Sequence, residues 1–204
     1  MVYRRRIVYV LFTLFLAPAA AGAQDRTASA LGFGGLSMNS FASPQIDFGA
    51  DVTKELTPNI HVVGEFGHIG DMLPPLSAGL ALLSPYDVRV SAYYVEGGVR
   101  LLAAPGSGVN PYAEATAGIA RLTPKVSGLG GGLDAIASAG FGLLSSTDPI
   151  LGVGGGVLLR GGPVVVDLGY RYKTVREGAS IASLLSVGDP LRAHQLRVGI
   201  GVRF

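Results

Sequence analysis

The chain has 204 residues, 49% of them hydrophobic, no cysteine, and 16 Lys and Arg against 14 Asp and Glu. Without cysteine, disulfides, thiolate metal sites and a lipidated amino-terminal Cys are excluded. The weak net charge of +2, with no basic patch interleaved with aromatics, argues against a nucleic-acid partner.

The first element is "MVYRRR" followed by the apolar run "IVYVLFTLFLAPAA" and the small residues Ala21 to Ala23. Charged, apolar and small regions in that order predict a cleaved signal peptide over residues 1–23; a membrane anchor is the alternative, but the run is short and closes on small residues. Cleavage after Ala23 removes Arg4, Arg5 and Arg6 and leaves 13 bases against 14 acids. The mature domain is then residues 24–204 and nearly neutral. Past the signal no run of about 18 apolar residues occurs, so a helical membrane protein is not expected.

What recurs instead is a period of two. Strands are predicted near residues 28–37, 45–56, 60–70, 88–103, 110–122, 149–160, 164–175 and 192–204. In "SAYYVEGGVRL", Ser91, Tyr93, Val95, Gly97, Val99 and Leu101 alternate with Tyr94, Glu96, Gly98 and Arg100. In "PYAEATAGIARL", Ala113, Ala115, Ala117 and Ile119 alternate with Tyr112, Glu114, Thr116 and Gly118; in "VVVDLGYRYKTV", Val164, Val166, Leu168, Tyr170 and Tyr172 alternate with Asp167, Gly169, Arg171 and Lys173. The chain stops at "RVGIGVRF", where Val198, Ile200, Val202 and Phe204 alternate with glycine and arginine. Segments of about ten residues with one apolar face suit a tilted strand crossing a bilayer.

The connectors alternate in length as well. "TPN", "APGSGVN" and "GGP" are short turns, while residues 38–44, 71–87, 123–148 and 176–191 are mostly longer. Short periplasmic turns, long outer loops and an even strand number describe an all-β, eight-stranded antiparallel up-and-down transmembrane barrel, in which the first strand must pair with the last so that no backbone edge faces hydrocarbon.

If the alternation holds, Asp47, Asp51, Glu65, Glu96, Arg100, Glu114, Asp167, Arg171, Lys173, Arg197 and Arg203 point into the lumen. An eight-stranded barrel is about wide enough for side chains to fill. These charges are therefore expected to pair with one another, with Asp51, Glu65, Glu96, Arg100, Glu114, Asp167, Arg171, Lys173 and Arg197 as the lumen network; a gate or proton path is the alternative. Gly169→Ala is expected to cost much less than an arginine placed at Val166 or Leu168 on the other face of the same strand. Lys54, Arg89 and Arg121 fall on the outward parity, near predicted strand ends, where a cation costs only about 0–1 kcal/mol.

Catalytic signals are weak. The glycine runs "GLGGGL" and "GVGGGV" complete no phosphate-binding fingerprint, and His61, His68 and His194 lack metal-ligand spacing, so no enzyme activity, cofactor or metal is expected. His68 and His194 fall near the outer rim, where a base beside a serine is conceivable but lacks an orienting carboxylate. The loops "DMLPPLSAGLALLSPYD", "LGGGLDAIASAGFGLLSS" and "GASIASLLSVGDPL" are unusually apolar, with short helices possible over 133–145 and 179–187.

The exported chain, the eight alternating segments, "PYAEATAGIAR", "VDLGYRYK" and the terminal "RVGIGVRF" resemble the small porin-like barrel family typified by OmpX and the membrane domain of outer-membrane protein A. The resemblance covers residues 28–204 and implies an outer-membrane location in a Gram-negative-type bacterium. It implies that the barrel assembly machinery reads Val198, Ile200, Val202 and Phe204, that the partners are outer-membrane lipid and lipopolysaccharide, and that the protein is a monomer. Two departures stand out: no periplasmic peptidoglycan-binding domain is expected after the barrel, so cell-wall tethering is not expected, and without Trp any aromatic girdle must come from Tyr and Phe. The function expected is structural or surface-interacting with a plugged lumen; the alternative is a conduit or binder for small hydrophobic molecules, as in OmpW-like barrels.

Overall fold

The computed structural model describes residues 26–38, 44–70, 87–127, 146–176 and 191–204. The signal segment and most of the apolar loops, with "GLGGGL" and both short-helix segments, lie outside the described residues. The elements are β1 (Ala28–Met38), β2 (Gln45–Thr57), β3 (Ile60–Ile69), β4 (Asp87–Leu102), β5 (Val109–Ser127), β6 (Ser146–Gly161), β7 (Val164–Val175) and β8 (Leu191–Arg203). They pair in chain order as one closed antiparallel barrel.

Closure runs through ten paired positions of β1 and β8, from Ser29 opposite Arg203 to Met38 opposite His194. Ala28 and Phe204 extend this seam by exchanging backbone hydrogen bonds of 3.0 and 2.9 Å. Every strand thus has two neighbours, the condition a sheet must meet to leave no orphan backbone groups in hydrocarbon.

The three short turns and the ends at Ala28 and Phe204 share one rim. At the β2–β3 turn the Ile60 amide donates to Thr57 Oγ1 at 3.1 Å, and Asn59 Nδ2 ties the turn to Leu102 O of β4 at 2.9 Å. The β6–β7 turn passes through Gly162 at φ 60°, a left-handed conformation that a side chain would oppose. A slip in register at Glu55/Thr57 places a bulge at the end of β2.

β4, β5 and β6 continue farther toward the long loops than the apolar alternation indicates. Asp87 to Val90 pair with Ser127 to Pro124, and Ser146 pairs with Leu122. Apolar alternation records only where side chains meet lipid, whereas backbone pairing persists beyond it.

The parity is uniform around the barrel. Ile46, Phe48, Phe66, Val95, Ile119, Val153, Leu168, Val198 and Ile200 face outward and are exposed, Ile46 at 73%. The interior is layered. Ile69, Ala92, Tyr94, Ala120, Leu122, Ile150, Val175, Leu191 and Ala193 form an apolar layer toward the long loops. Leu31, Leu102, Tyr112, Leu158 and Val165 form a second toward the short turns. Charged side chains occupy the space between.

Candidate functional site

The charged layer is assembled from six strands. β2 supplies Asp51, β3 Glu65, β4 Glu96 and Arg100, β5 Glu114, β7 Asp167, Arg171 and Lys173, and β8 Arg197. Each lies at the inward parity of its strand, and all nine are between 0 and 5% exposed. Longer side chains than Asp would be needed to cross the lumen alone, and the arginines and Lys173 provide that reach.

The nine form one connected network. Lys173 Nζ meets Glu65 Oε1 at 2.8 Å and also contacts Glu96 Oε2. Arg197 reaches Glu65 Oε2 at 2.7 Å, Asp167 Oδ2 at 3.0 Å and Asp51 Oδ2 at 3.3 Å. Arg100 joins Asp51 at 3.5 Å to Glu114 Oε2 at 2.6 Å, and Arg171 closes on Glu114 Oε1 at 3.0 Å. Burying such ions is costly, and only mutual pairing and additional hydrogen bonds offset that cost.

Aromatic side chains supply the additional contacts, and two of them, Tyr94 and Tyr112, are residues that strand parity placed inward without giving them a role. Tyr94 Oη donates to Glu65 Oε1 at 2.7 Å while its ring lies 3.8 Å from Lys173 Nζ. Tyr112 Oη donates to Asp167 Oδ1 at 2.7 Å and accepts from Arg171 Nη2 at 3.1 Å. The Tyr112 ring also faces two guanidiniums, Arg100 at 4.6 Å and Arg171 at 5.1 Å from its centroid. Phe33 of β1 meets Arg197 in the same way at 4.6 Å. A cation held over a ring face gains electrostatic attraction that grows with desolvation. The signal for Tyr94 and Tyr112 was their shared parity with Glu96 and Glu114; Phe33 sits in the apolar, glycine-rich β1, which gives no such cue.

Glycine makes room for these rings. A Cβ on Gly67 would lie 2.5 Å from Tyr94 Oη, and one on Gly169 would lie 2.7 Å from Tyr112 Oη. The lumen is thus filled beside Gly169, and a methyl added there must displace the Tyr112 hydroxyl.

Of the charges expected from the sequence to face inward, Asp47 and Arg203 stand apart from the network. Asp47, near the long loops, accepts from Ser37 Oγ at 2.9 Å, Gln195 Nε2 at 2.7 Å and the Gly70 amide at 2.9 Å, so neutral donors satisfy it. Arg203, at the short-turn rim, donates to Arg26 O at 3.0 Å. Of the charges on the outward parity, Lys54 lies near the end of β2 and donates to Thr27 Oγ1 at 2.7 Å. Arg121 is in register with Tyr93, well within the paired length of β5, whereas Arg89 pairs with Lys125 near the strand ends.

The histidines do not converge. His61 lies inside the barrel near the short turns, whereas His68 and His194 lie on the outer face toward the long loops. His68 stacks on Phe48 at 5.2 Å and leans on Tyr93 at 4.7 Å; His194 packs on Tyr172 at 5.0 Å and its Nδ1 is 2.6 Å from Tyr170 Oη. These two groups form an outward aromatic belt of Phe, Tyr and His. Among the described residues no three His, Asp or Glu side chains are placed to hold a metal ion. Val198, Ile200 and Val202 face outward on β8, and Phe204 closes the seam against Ala28.

No family model matches the chain, and no curated protein matches it. Among solved structures it is similar to Neisserial surface protein A, at 15% identity and a TM-score of 0.55, over 87% of this chain and 96% of that one. It is also similar to the N-terminal β-barrel domain of Pseudomonas aeruginosa OprF, at 12% identity and a TM-score of 0.54, over 88% of this chain and 98% of that one. A major outer membrane protein of Thermus thermophilus gives 12% identity and a TM-score of 0.53, over 87% and 98% of the two chains. The chain has the fold of the small eight-stranded outer-membrane barrels, the fold implied by its resemblance to the family of OmpX and outer-membrane protein A.

Proposed function

We propose that the protein is an integral outer-membrane barrel with a sealed lumen, acting as a structural or surface-interaction element and carrying out no chemistry. The observation that carries this reading is the nine-residue charge network, buried and enclosed between two apolar layers. An ion entering from either end meets a low-dielectric layer and then side chains already engaged with one another, so a hydrated path would require breaking several pairs at once. Export through the signal segment, contact with outer-membrane lipid and lipopolysaccharide through the outward apolar and aromatic face, assembly through the β8 residues Val198, Ile200, Val202 and Phe204, and a monomeric state belong to the same reading.

The conduit for small hydrophobic molecules is the second reading, favoured by the apolar layer of Ile69, Leu122, Ile150, Val175 and Leu191 at the end of the lumen opposite the short turns. A lateral exit requires a gap between strands. Among the described residues each adjacent pair, including β1 with β8, keeps an extended ladder, which supports the sealed barrel instead.

Proteoliposomes loaded with potassium chloride test the proposal: the reconstituted protein should leave potassium release at the rate of protein-free vesicles. Release that rises in proportion to the amount of protein inserted would reject the sealed lumen.

A further inference from the structure

The short-turn end of the lumen holds a cluster of cations that the central network does not use. Arg26, Arg160 and Arg203 line a small, partly open cavity together with His61, Glu55 and the hydroxyl residues Ser29 and Thr53. Its free volume of about 10 Å³ is room for one oxygen-sized atom. The cavity shares Glu55, Arg160 and Arg203 with a wider cup of about 550 Å³, walled by Pro58, the Pro105–Gly108 turn and Gly162. The cup therefore opens between all three short turns.

Three arginines against one glutamate give this mouth a net charge of +2 with His61 neutral. Arg203 uses its guanidinium on the Arg26 carbonyl, and Arg160 makes no ion pair or side-chain hydrogen bond among the described residues. His61 is 6% exposed and borders the cavity, yet its Nε2 has no hydrogen-bond partner, the nearest acid being Glu55 at 4.0 Å. A buried polar nitrogen without a partner costs free energy that a ligand oxygen in the cavity would recover.

We propose that this mouth is an oxyanion-binding site, in which Arg160 and Arg203 grip a phosphate or carboxylate and one of its oxygens enters the cavity beside His61. Guanidinium forks match the paired oxygens of such groups, and a positive rim with low-dielectric walls concentrates anions. The ligand class is a phosphoryl or carboxyl group that presents itself on the short-turn side, either on a soluble molecule or on a lipid headgroup. Glu55 opposes it by like charge and so sets how tightly the anion is held.

The test uses the mature full-length protein in nanodiscs of phosphatidylcholine, titrated with inorganic phosphate at constant ionic strength and followed by amide chemical shifts. Saturable shifts are expected at Ser29, Thr53 and His61. Arg160→Gln removes charge-assisted hydrogen bonds and should weaken binding about tenfold or more. Glu55→Gln should tighten binding, and Arg192→Gln, at the opposite end of β8, should leave it unchanged. If Arg160→Gln fails to fold, Arg26→Gln, outside the strands, should weaken binding in the same direction. Nanodiscs containing phosphatidylglycerol separate the sources: shifts that appear with the lipid alone and block phosphate support the site with a headgroup ligand, and a site that still titrates with phosphate supports it with a soluble one. Shifts that do not saturate, that survive Arg160→Gln or Arg26→Gln and Glu55→Gln without change, or that fall equally with Arg192→Gln, would overturn the proposal.

Discussion

Arg197 of β8 extends across the lumen to place Nη1 2.7 Å from Glu65 Oε2 of β3, joining two strands that are not neighbours in the sheet. The same guanidinium holds Asp167 and Asp51 through Nη2, so one side chain neutralises carboxylates from three strands. Removing it leaves three buried acids short of a cation. Arg197→Ala should therefore destabilise the barrel by about 3–5 kcal/mol, measured as the urea midpoint of reversible unfolding in lipid vesicles. Arg197→Lys should recover only part of this, because a single ammonium lacks the planar fork that serves several oxygens. An unchanged midpoint for the alanine variant would contradict the central position given to Arg197.

Gly169→Ala probes how tightly the lumen is filled. The added methyl would sit 2.7 Å from Tyr112 Oη and displace the hydroxyl from Asp167, a loss of about 1 kcal/mol for the hydrogen bond. In a Tyr112→Phe background that hydroxyl is gone, and the cost of Gly169→Ala should shrink. Equal costs in both backgrounds would show that the methyl acts elsewhere.

Strand parity is tested on the lipid face of β7. Leu168 is outward and stands between Val157 and Val198, and Val166 stands between Leu159 and Ile200. Leu168→Arg and Val166→Arg should each cost up to about 2–4 kcal/mol in refolding into bilayers, the penalty for a cation facing hydrocarbon near the midplane. Variants that refold like the parent would place these residues away from lipid.

Deleting Phe204 removes both hydrogen bonds with Ala28 and the aromatic end of β8. Membrane fractionation of cells expressing the truncated protein should show less folded barrel in the outer membrane and more unfolded chain in the periplasm. Normal amounts of heat-modifiable, membrane-embedded protein would remove the assembly role assigned to this residue.

The strands were legible because a barrel wall writes its two faces into alternate residues: once Leu168 and Tyr170 are read as outward, Asp167 and Arg171 must be inward. The same rule put the nine charges on one side before any distance was known. Parity says nothing of partner choice, however. That Lys173 serves Glu65 and Glu96, and that Arg203 turns to the Arg26 carbonyl, depends on strand stagger around the closed sheet, which alternation does not encode. Tyr94 and Tyr112 were equally hidden in role, since an inward tyrosine in a sequence reads as filler until its hydroxyl is seen beside an acid. β5 ran past its expected end for a related reason: Thr123, Pro124 and Lys125 break the apolar pattern, although their backbone pairing with β4 continues.

The account rests on a lumen closed by its own charges, and planar-bilayer recording of the purified, unmodified protein tests it most directly. The prediction is no steady conductance above the bare membrane, with Arg100→Ala or Arg171→Ala giving at most intermittent openings or a barrel too unstable to insert. A large, sustained, voltage-independent conductance from the unmodified protein would contradict the sealed lumen and make the barrel a diffusion pore.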